Sequence, residues 1–334
     1  MSVIAREIHL NSRPTGKIEP QNFALVERQL PAIAPGQVLV RNLFMSVDPY
    51  MRGRMNEAES YIEPFQIGAV LEGTAVGEVI ESTDSRFSVG DAVAHFAGWR
   101  DHALLDGDDH VTPLDTTHVP IQAFLGALGL PGHAAYYGLV HIAKPQAGET
   151  IFVSSAAGAV GSLVAQIAKL KGCRVIGSVG SEAKAEWLRD ELGVDVAINY
   201  NAEPDLEAAL RRAAPEGIDI YFDNVGGSHL KAAIAVAKDF ARFPLCGMVT
   251  QYNGESEGPS NIYAVIQKSL LLQGFVGINH LDIWEEFTHE MIKWIAEGQI
   301  KTRETIVNGL ENAPDALIGL FAGDNIGKML VRLG

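Results

Sequence analysis

The chain has 334 residues, 47% hydrophobic and 20% charged, with a formal net charge of −15 at pH 7. That length and balance suit a globular chain of two domains and exclude a disordered or membrane-embedded polypeptide. The acidic surplus excludes non-specific binding to nucleic acid or an anionic membrane, so any anionic ligand must be held by local donors against the overall field.

The segment Met1–Pro14 carries a charge at Arg6 and no long apolar core, so no signal peptide is expected. No apolar run reaches the ~18 residues needed to span a bilayer. Residues 1 to about 127 read as mostly β. Short apolar stretches at Gln37–Val47, Gly68–Ile80 and Asp91–Phe96 are separated by turns such as Ala34-Pro35-Gly36 and Ser88-Val89-Gly90-Asp91. From about 128 the texture alternates. Strands are predicted at Thr150–Ser154, Arg174–Ser178, Asp195–Ile198, Ile218–Asn224, Arg242–Met248 and Leu272–Gly277. Helices are predicted at Gly158–Leu170, Glu182–Leu192, Pro204–Ala214, Leu230–Phe240 and Tyr263–Leu271. Such interleaving makes an α/β domain with a doubly wound parallel sheet of the Rossmann type. An amphipathic helix at Trp284–Glu297 follows, then Glu304–Asn308, a helix near Pro314–Phe321 and a closing strand Gly327–Leu333. Cys173 and Cys246 each sit in an apolar, strand-like run, so two buried thiols and a reducing, cytoplasmic setting are expected.

The first strand of the alternating half runs into Ser154-Ser155-Ala156-Ala157, then Gly158-Ala159-Val160-Gly161. A glycine- and alanine-rich turn between strand and helix lets backbone N–H groups and a helix N-terminus face a pyrophosphate. Ala156 stands where the first glycine of the dinucleotide pattern would be, and an ordinary tight turn shares this composition. Its place in a βαβ unit favours the cofactor reading. An NAD site carries an acid at the tip of the second strand, roughly 20 residues past the first glycine. Here that tip is Gly177-Ser178-Val179-Gly180-Ser181, without one. Glu182 follows, once a helix capped by Ser181 has begun. Lys184 in the first turn opposes the helix dipole, so helix stability does not explain it. A 2′-phosphate would, with a solvated surface lysine as the alternative, and NADP(H) is the expected cofactor. Asp223-Asn224-Val225-Gly226-Gly227 and Cys246-Gly247-Met248 end later strands, at the edge where such sheets bind ligands.

Metal and nucleophile signals are weak. His102 and His110 lie in an acidic loop with Asp101, Asp106, Asp108 and Asp109, without a thiolate cluster or His-x-x-x-His spacing, and G-x-S-x-G does not occur. No metal site is expected.

The chain resembles, from end to end, the medium-chain dehydrogenase/reductase superfamily, in its zinc-independent branch of prostaglandin, alkenal double-bond and curcumin reductases. The stretches that carry the resemblance are Ser46-Val47-Asp48-Pro49-Tyr50-Met51-Arg52, Ala156–Ser162, Asp223–Gly227, Cys246-Gly247-Met248 with Gln251-Tyr252-Asn253, and Gly323–Lys328. It implies a GroES-like β-barrel from residues 1–127 and 298–334 and an NADP-binding Rossmann domain from 128–297, in a homodimer. It also implies that Gly158, Ala159 and Val160 line the pyrophosphate, and that Gly180, Ser181, Lys184 and Tyr200 surround the adenosine 2′-phosphate. Asn224, Cys246, Met248, Phe275 and Val276 flank the nicotinamide half, with Asn325 from the tail. Tyr252 lies near the substrate carbonyl and Tyr50 in the substrate pocket. Arg52 stands beside Tyr50, with a structural ion pair as an equal alternative. Two departures matter. Ala134 replaces a common threonine, and Ser46 and Leu71 stand where the zinc-bearing branch has cysteine and histidine.

The expected reaction is NADPH-dependent reduction of the carbon–carbon double bond of an α,β-unsaturated ketone or aldehyde. Hydride goes to the β-carbon, Tyr252 and a ribose hydroxyl hold the enolate, and Tyr252 or a water it orients protonates the α-carbon. Alternatives are a quinone reductase on the same scaffold, a low-turnover NADP-binding protein, and a zinc alcohol dehydrogenase. Tyr252 also has a bland alternative, a tyrosine bonded to a backbone carbonyl.

Overall fold

The computed structural model describes residues 3–107, 109–252 and 258–334. Asp108 of the acidic loop and Asn253 of the Gln251–Asn253 stretch lie outside the described residues. The chain divides into two compact units. One comprises Met1–Leu125, Glu304–Asn325 and Met329–Gly334; the other comprises Gly126–Arg303 with Ile326–Lys328.

The first unit opens with an antiparallel pair, β1 (Ile4–Leu10) and β2 (Phe23–Gln29). It continues through β3 (Gln37–Ser46), a short helix α1 (Tyr50–Arg54), β4 (Ala75–Ser82), β5 (Ala92–His95), β6 (His102–Asp106) and β7 (Thr112–Pro113). β3 pairs antiparallel with both β4 and β6, and its apolar run is buried at most positions. A strand covered on both faces needs hydrophobic residues on both, so β3 shows no alternation. Ile8, Leu10, Met45, Met51, Leu71 and Trp99 form the core beside it.

The second unit starts with α2 (Leu130–Tyr136), which runs on into a π-helical stretch, Tyr137–Ala143, ended by Lys144 in the left-handed region. Then come β8 (Thr150–Val153), α3 (Gly161–Leu170), β9 (Arg174–Val179), α4 (Glu182–Asp190), β10 (Val196–Asn199), α5 (Leu206–Ala213), β11 (Ile218–Phe222), α6 (Gly227–Val236), β12 (Ala237–Leu245), α7 (Val249–Tyr252), α8 (Tyr263–Gln267), β13 (Leu271–Gly274) and α9 (Trp284–Ala296). The sheet order is β10-β9-β8-β11-β12-β13, every pair parallel. Its strands are rich in buried Ile, Val, Phe and Tyr because helices cover both faces. The chain then returns to the first unit through β14 (Glu304–Asn308), α10 (Ala313–Ala322) and β15 (Lys328–Arg332), which pairs antiparallel with β3. The fold is a GroES-like β-barrel joined to a Rossmann-type doubly wound sheet.

Several local expectations need correction. α3 begins at Gly161 because Ser155–Val160 form the turn that precedes it. The helix expected over Leu230–Phe240 stops at Val236: Ala237 is extended and Phe240 is left-handed, at φ 62°, so the chain is already in β12. Cys173 precedes β9 and Cys246 follows β12, so neither lies in a strand, and Cys246 is half-buried as a residue. Burial nevertheless pushes both thiols up, to about 11 and about 12.

Candidate active site

β8 is the first strand of the sheet in sequence but lies in its middle, with β9 and β10 to one side and β11 to β13 to the other. Connections from β8 and β11 therefore leave in opposite directions and open a crevice at their carboxyl ends, the usual ligand site of such sheets. The turn after β8 is tight. Ser155 is left-handed, at φ 49°, and its carbonyl accepts from the Gly158 amide at 2.9 Å. A Cβ on Gly161 would lie 2.3 Å from the Ser155 carbonyl oxygen, so only glycine allows the helix to start this close to the strand. The Val160 and Gly161 amides donate to no acceptor among the described residues and remain available at the N-terminus of α3. From the tail, the Gly327 amide donates to the Ala157 carbonyl at 2.8 Å and pins the turn.

At the tip of β9, Ser181 caps α4 by accepting from the Lys184 amide at 3.4 Å. Lys184 is half-buried in the first turn. Glu182, the acid closest to this tip, is committed elsewhere: its carboxylate accepts from Arg189 at 2.7 Å. Tyr200 lies over Gly180, where a Cβ would come within 2.8 Å of its phenol oxygen. Asn201 donates to the Gly180 carbonyl at 2.7 Å. Gly180, Ser181, Lys184 and Tyr200 are thus grouped at one strand tip, with Asn201 as an added member.

Past β11 and β12 the second unit holds a cavity of about 500 Å³ walled by Cys246, Gly247, Met248, Phe275, Val276 and His280, among others. Four residues expected to flank the nicotinamide half therefore share one wall. Asn224 is anchored at the strand end, its side chain donating to the Ser154 carbonyl at 2.8 Å. Tyr252 ends α7 and is half-buried, and burial raises its phenol above the ordinary tyrosine range. At neutral pH it is a donor.

Sequence reasoning placed Asp223 at the ligand edge of the sheet without giving it a role, and missed His229. Asp223 is fully buried, with Oδ1 accepting from the Tyr221 phenol at 2.7 Å. His229, in α6, is 5% exposed, edge-on to Tyr200 at 5.1 Å, and neither ring nitrogen has a partner among the described residues. The Asp-Asn-Val-Gly-Gly stretch was visible as a strand end, but nothing in its composition says which side chains turn inward.

Tyr50 and Asn325 belong to the first unit. The Tyr50 phenol oxygen is buried without a partner among the described residues and is pushed well above the usual range by burial, with Asp48 adding to the effect. Arg52 is buried, its guanidinium donating to Asn56 at 2.6 Å and to the Gly16 carbonyl at 2.8 Å. Asn325 is buried in the tail. The Ser46 hydroxyl donates to the Asp48 carboxylate and Leu71 is a core residue, so neither position offers zinc a ligand. Among the described residues no three His, Cys, Asp or Glu side chains are grouped to hold a metal ion. In the acidic loop, Asp101 is held by Arg6 at 3.0 Å. No described helix is long and apolar enough to cross a membrane.

Comparison with known proteins finds relatives over nearly the whole chain. Residues 6–112 match the family described as N-terminal domain of oxidoreductase, and residues 159–297 match the one described as zinc-binding dehydrogenase. The chain is 43% identical to 2-alkenal reductase (NADP(+)-dependent) of Nicotiana tabacum, covering 89% of this chain and 87% of that protein. It is 42% identical to the NADPH-dependent curcumin reductase of Escherichia coli, covering 97% and 95%. Among solved structures it is similar to CurA in complex with NADPH from Vibrio vulnificus, with a TM-score of 0.93, 42% identity and coverage of 98% of this chain and 99% of that one.

Proposed function

The chain belongs to the medium-chain dehydrogenase/reductase superfamily, in its branch of prostaglandin, alkenal and curcumin reductases, and from that premise we propose that it reduces the carbon–carbon double bond of α,β-unsaturated ketones and aldehydes with NADPH and without zinc. The observation that carries this reading is the β9 tip: a half-buried lysine beside a capped helix start, with the adjacent acid drawn off to Arg189. An acid-free tip with a cation suits a 2′-phosphate and offers a bare ribose diol no carboxylate.

When bound, NADPH supplies the hydride. Around it, Gly158, Ala159 and Val160 line the pyrophosphate, and the Val160 and Gly161 amides at the helix N-terminus donate to it. Gly180, Ser181, Lys184 and Tyr200 hold the adenosine 2′-phosphate end, and Asn224, Cys246, Met248, Phe275 and Val276 hold the nicotinamide half. Tyr252, kept protonated by burial, donates a hydrogen bond to the carbonyl oxygen as negative charge builds there and supplies or relays the proton for the α-carbon. Tyr50 and Asn325, from the first unit, take substrate and cofactor roles respectively. The active form is a homodimer. Exposed apolar side chains on the β12–β13 edge, Phe240 and Leu271, support an association there. The free thiols suit a reducing, cytoplasmic compartment.

The test is NADPH and NADH oxidation across a short enone panel, with wild type and Lys184→Ala. Turnover selective for NADPH, with its KM raised about tenfold by the substitution and the NADH KM unchanged, is expected for one lost charge-assisted contact. Equal loss for both nucleotides removes Lys184 from the phosphate site.

A further inference from the structure

Asp223 sits at the carboxyl end of β11, at the switch point, and is fully buried. Its two oxygens are treated very differently. Oδ1 accepts from the Tyr221 phenol at 2.7 Å, the Gly226 amide at 2.8 Å, the Val225 amide at 2.9 Å and the Ser154 hydroxyl at 3.3 Å. Among the described residues Oδ2 meets no donor and no cation pairs with the carboxylate. Burial raises the Asp223 carboxyl above the ordinary carboxylate range while the bonds to Oδ1 favour its ionised form, and a bare buried Oδ2 is a costly arrangement for a fold to keep. What would compensate that oxygen is positive charge brought by a ligand.

Asp223 also makes itself felt at the cavity wall. The Cys246 and Gly247 amides donate to the Asp223 carbonyl at 2.9 and 3.1 Å, and the Asp223 charge adds to the burial that pushes the Cys246 thiol up. Cys246 lines the cavity together with Met248, Phe275 and Val276. On the reading given above, on which this inference rests, that wall takes the nicotinamide half. Reduction of the double bond would move one hydride, a proton with two electrons, from the neutral dihydronicotinamide ring to the β-carbon, while the α-carbon gains a proton. The ring is left with one positive charge that it did not have before.

We propose that Asp223 acts through its field, as a buried carboxylate that favours the cationic oxidised ring over the neutral reduced ring and so eases hydride departure. At an effective dielectric of about 20, unit charges several Å apart shift such an equilibrium by tenfold or more. The residue touches neither substrate nor cofactor in this account, and its effect is read as a difference between two affinities.

The experiment titrates wild type, Asp223→Asn and Asp223→Glu with NADP+ and with NADPH by calorimetry, after a thermal melt has shown which variants fold. Asp223→Asn is expected to weaken NADP+ about tenfold relative to NADPH, about 1.4 kcal/mol. Asp223→Glu, which retains the charge, is expected to hold the wild-type ratio within about threefold, about 0.65 kcal/mol. Either variant that folds tests the idea, since each has its own required ratio. Equal weakening of both nucleotides in Asp223→Asn, or a glutamate ratio that follows the asparagine one, overturns the field role. Wild type that binds neither nucleotide overturns the crevice assignment itself.

Discussion

Gly161→Ala is the substitution for which the geometry allows the firmest number. The new methyl would sit 2.3 Å from the Ser155 carbonyl oxygen, 2.9 Å from the Ala156 Cα and 3.0 Å from the Ser155 carbonyl carbon. All three are backbone atoms, so no side-chain rotation relieves the overlap. Either the start of α3 or the turn after β8 must move by roughly an ångström to restore ordinary contact, and overpacking of this kind costs about 1–3 kcal/mol. For a unit of this size each kcal/mol lowers the melting temperature by roughly 2–4 °C, giving a fall of about 2–12 °C. The same displacement shifts the Val160 and Gly161 amides, and an ångström of misplacement reduces turnover by up to about a hundredfold. The assay pairs a thermal melt with an NADPH titration. Gly274→Ala, whose Cβ would meet nothing within 4 Å, is the stability control, expected within about 0.5 kcal/mol of wild type. A Gly161→Ala protein with unchanged melting temperature and unchanged NADPH affinity refutes both the packing argument and the role of this turn.

Tyr252→Phe removes the donor proposed for the developing enolate. Its kcat should fall by about 10²–10⁴-fold with the NADPH dissociation constant unchanged, measured by steady-state kinetics and titration; a fall of less than threefold returns Tyr252 to an ordinary half-buried tyrosine. His229 gives a pH prediction. Burial lowers it from 6.5 to about 4, so between those values the unfolded chain takes up a proton that the folded chain refuses, and stability is lost as pH falls through the window. The loss is about 1.4 kcal/mol per pH unit. Urea midpoints of His229→Leu between pH 6.5 and 5 should therefore decline less steeply than those of wild type. Part of the decline persists because His95 is similarly lowered, to about 3. Parallel curves contradict the burial argument.

The alternation of apolar strands with helices after residue 150 was legible because helices covering both sheet faces demand unbroken hydrophobic strands at Thr150–Val153 and Ile218–Phe222. The glycine-rich turn and the acid-free β9 tip were legible for a related reason: their chemistry is local, carried by neighbours in sequence. Elements governed by tertiary contacts were not. Leu130–Ala143 contains Pro131, Gly132 and Gly138, which argue against a helix. Yet a Cβ on Gly138 would lie 2.7 Å from the Phe222 and Phe275 rings, so that glycine is required by what the helix packs against. The early end of α6 follows from the path into β12, where Phe240 takes a left-handed conformation that nothing in Asp239-Phe240-Ala241 announces. The inward placement of Asp223 and His229 was not legible for the opposite reason. Each looks like an ordinary polar residue near a turn, and only the fold shows that their polar atoms point inward with too few partners.

Hydride delivery to a carbon–carbon double bond is read out by following the label from NADPH deuterated at the nicotinamide C4 position into the product of an enone reduction, with both epimers of the label run separately. The expected product is a saturated ketone or aldehyde carrying one deuterium on the β-carbon from one epimer, and an α-hydrogen drawn from solvent. Deuterium on the carbonyl carbon of an allylic alcohol, with the double bond intact, would contradict it.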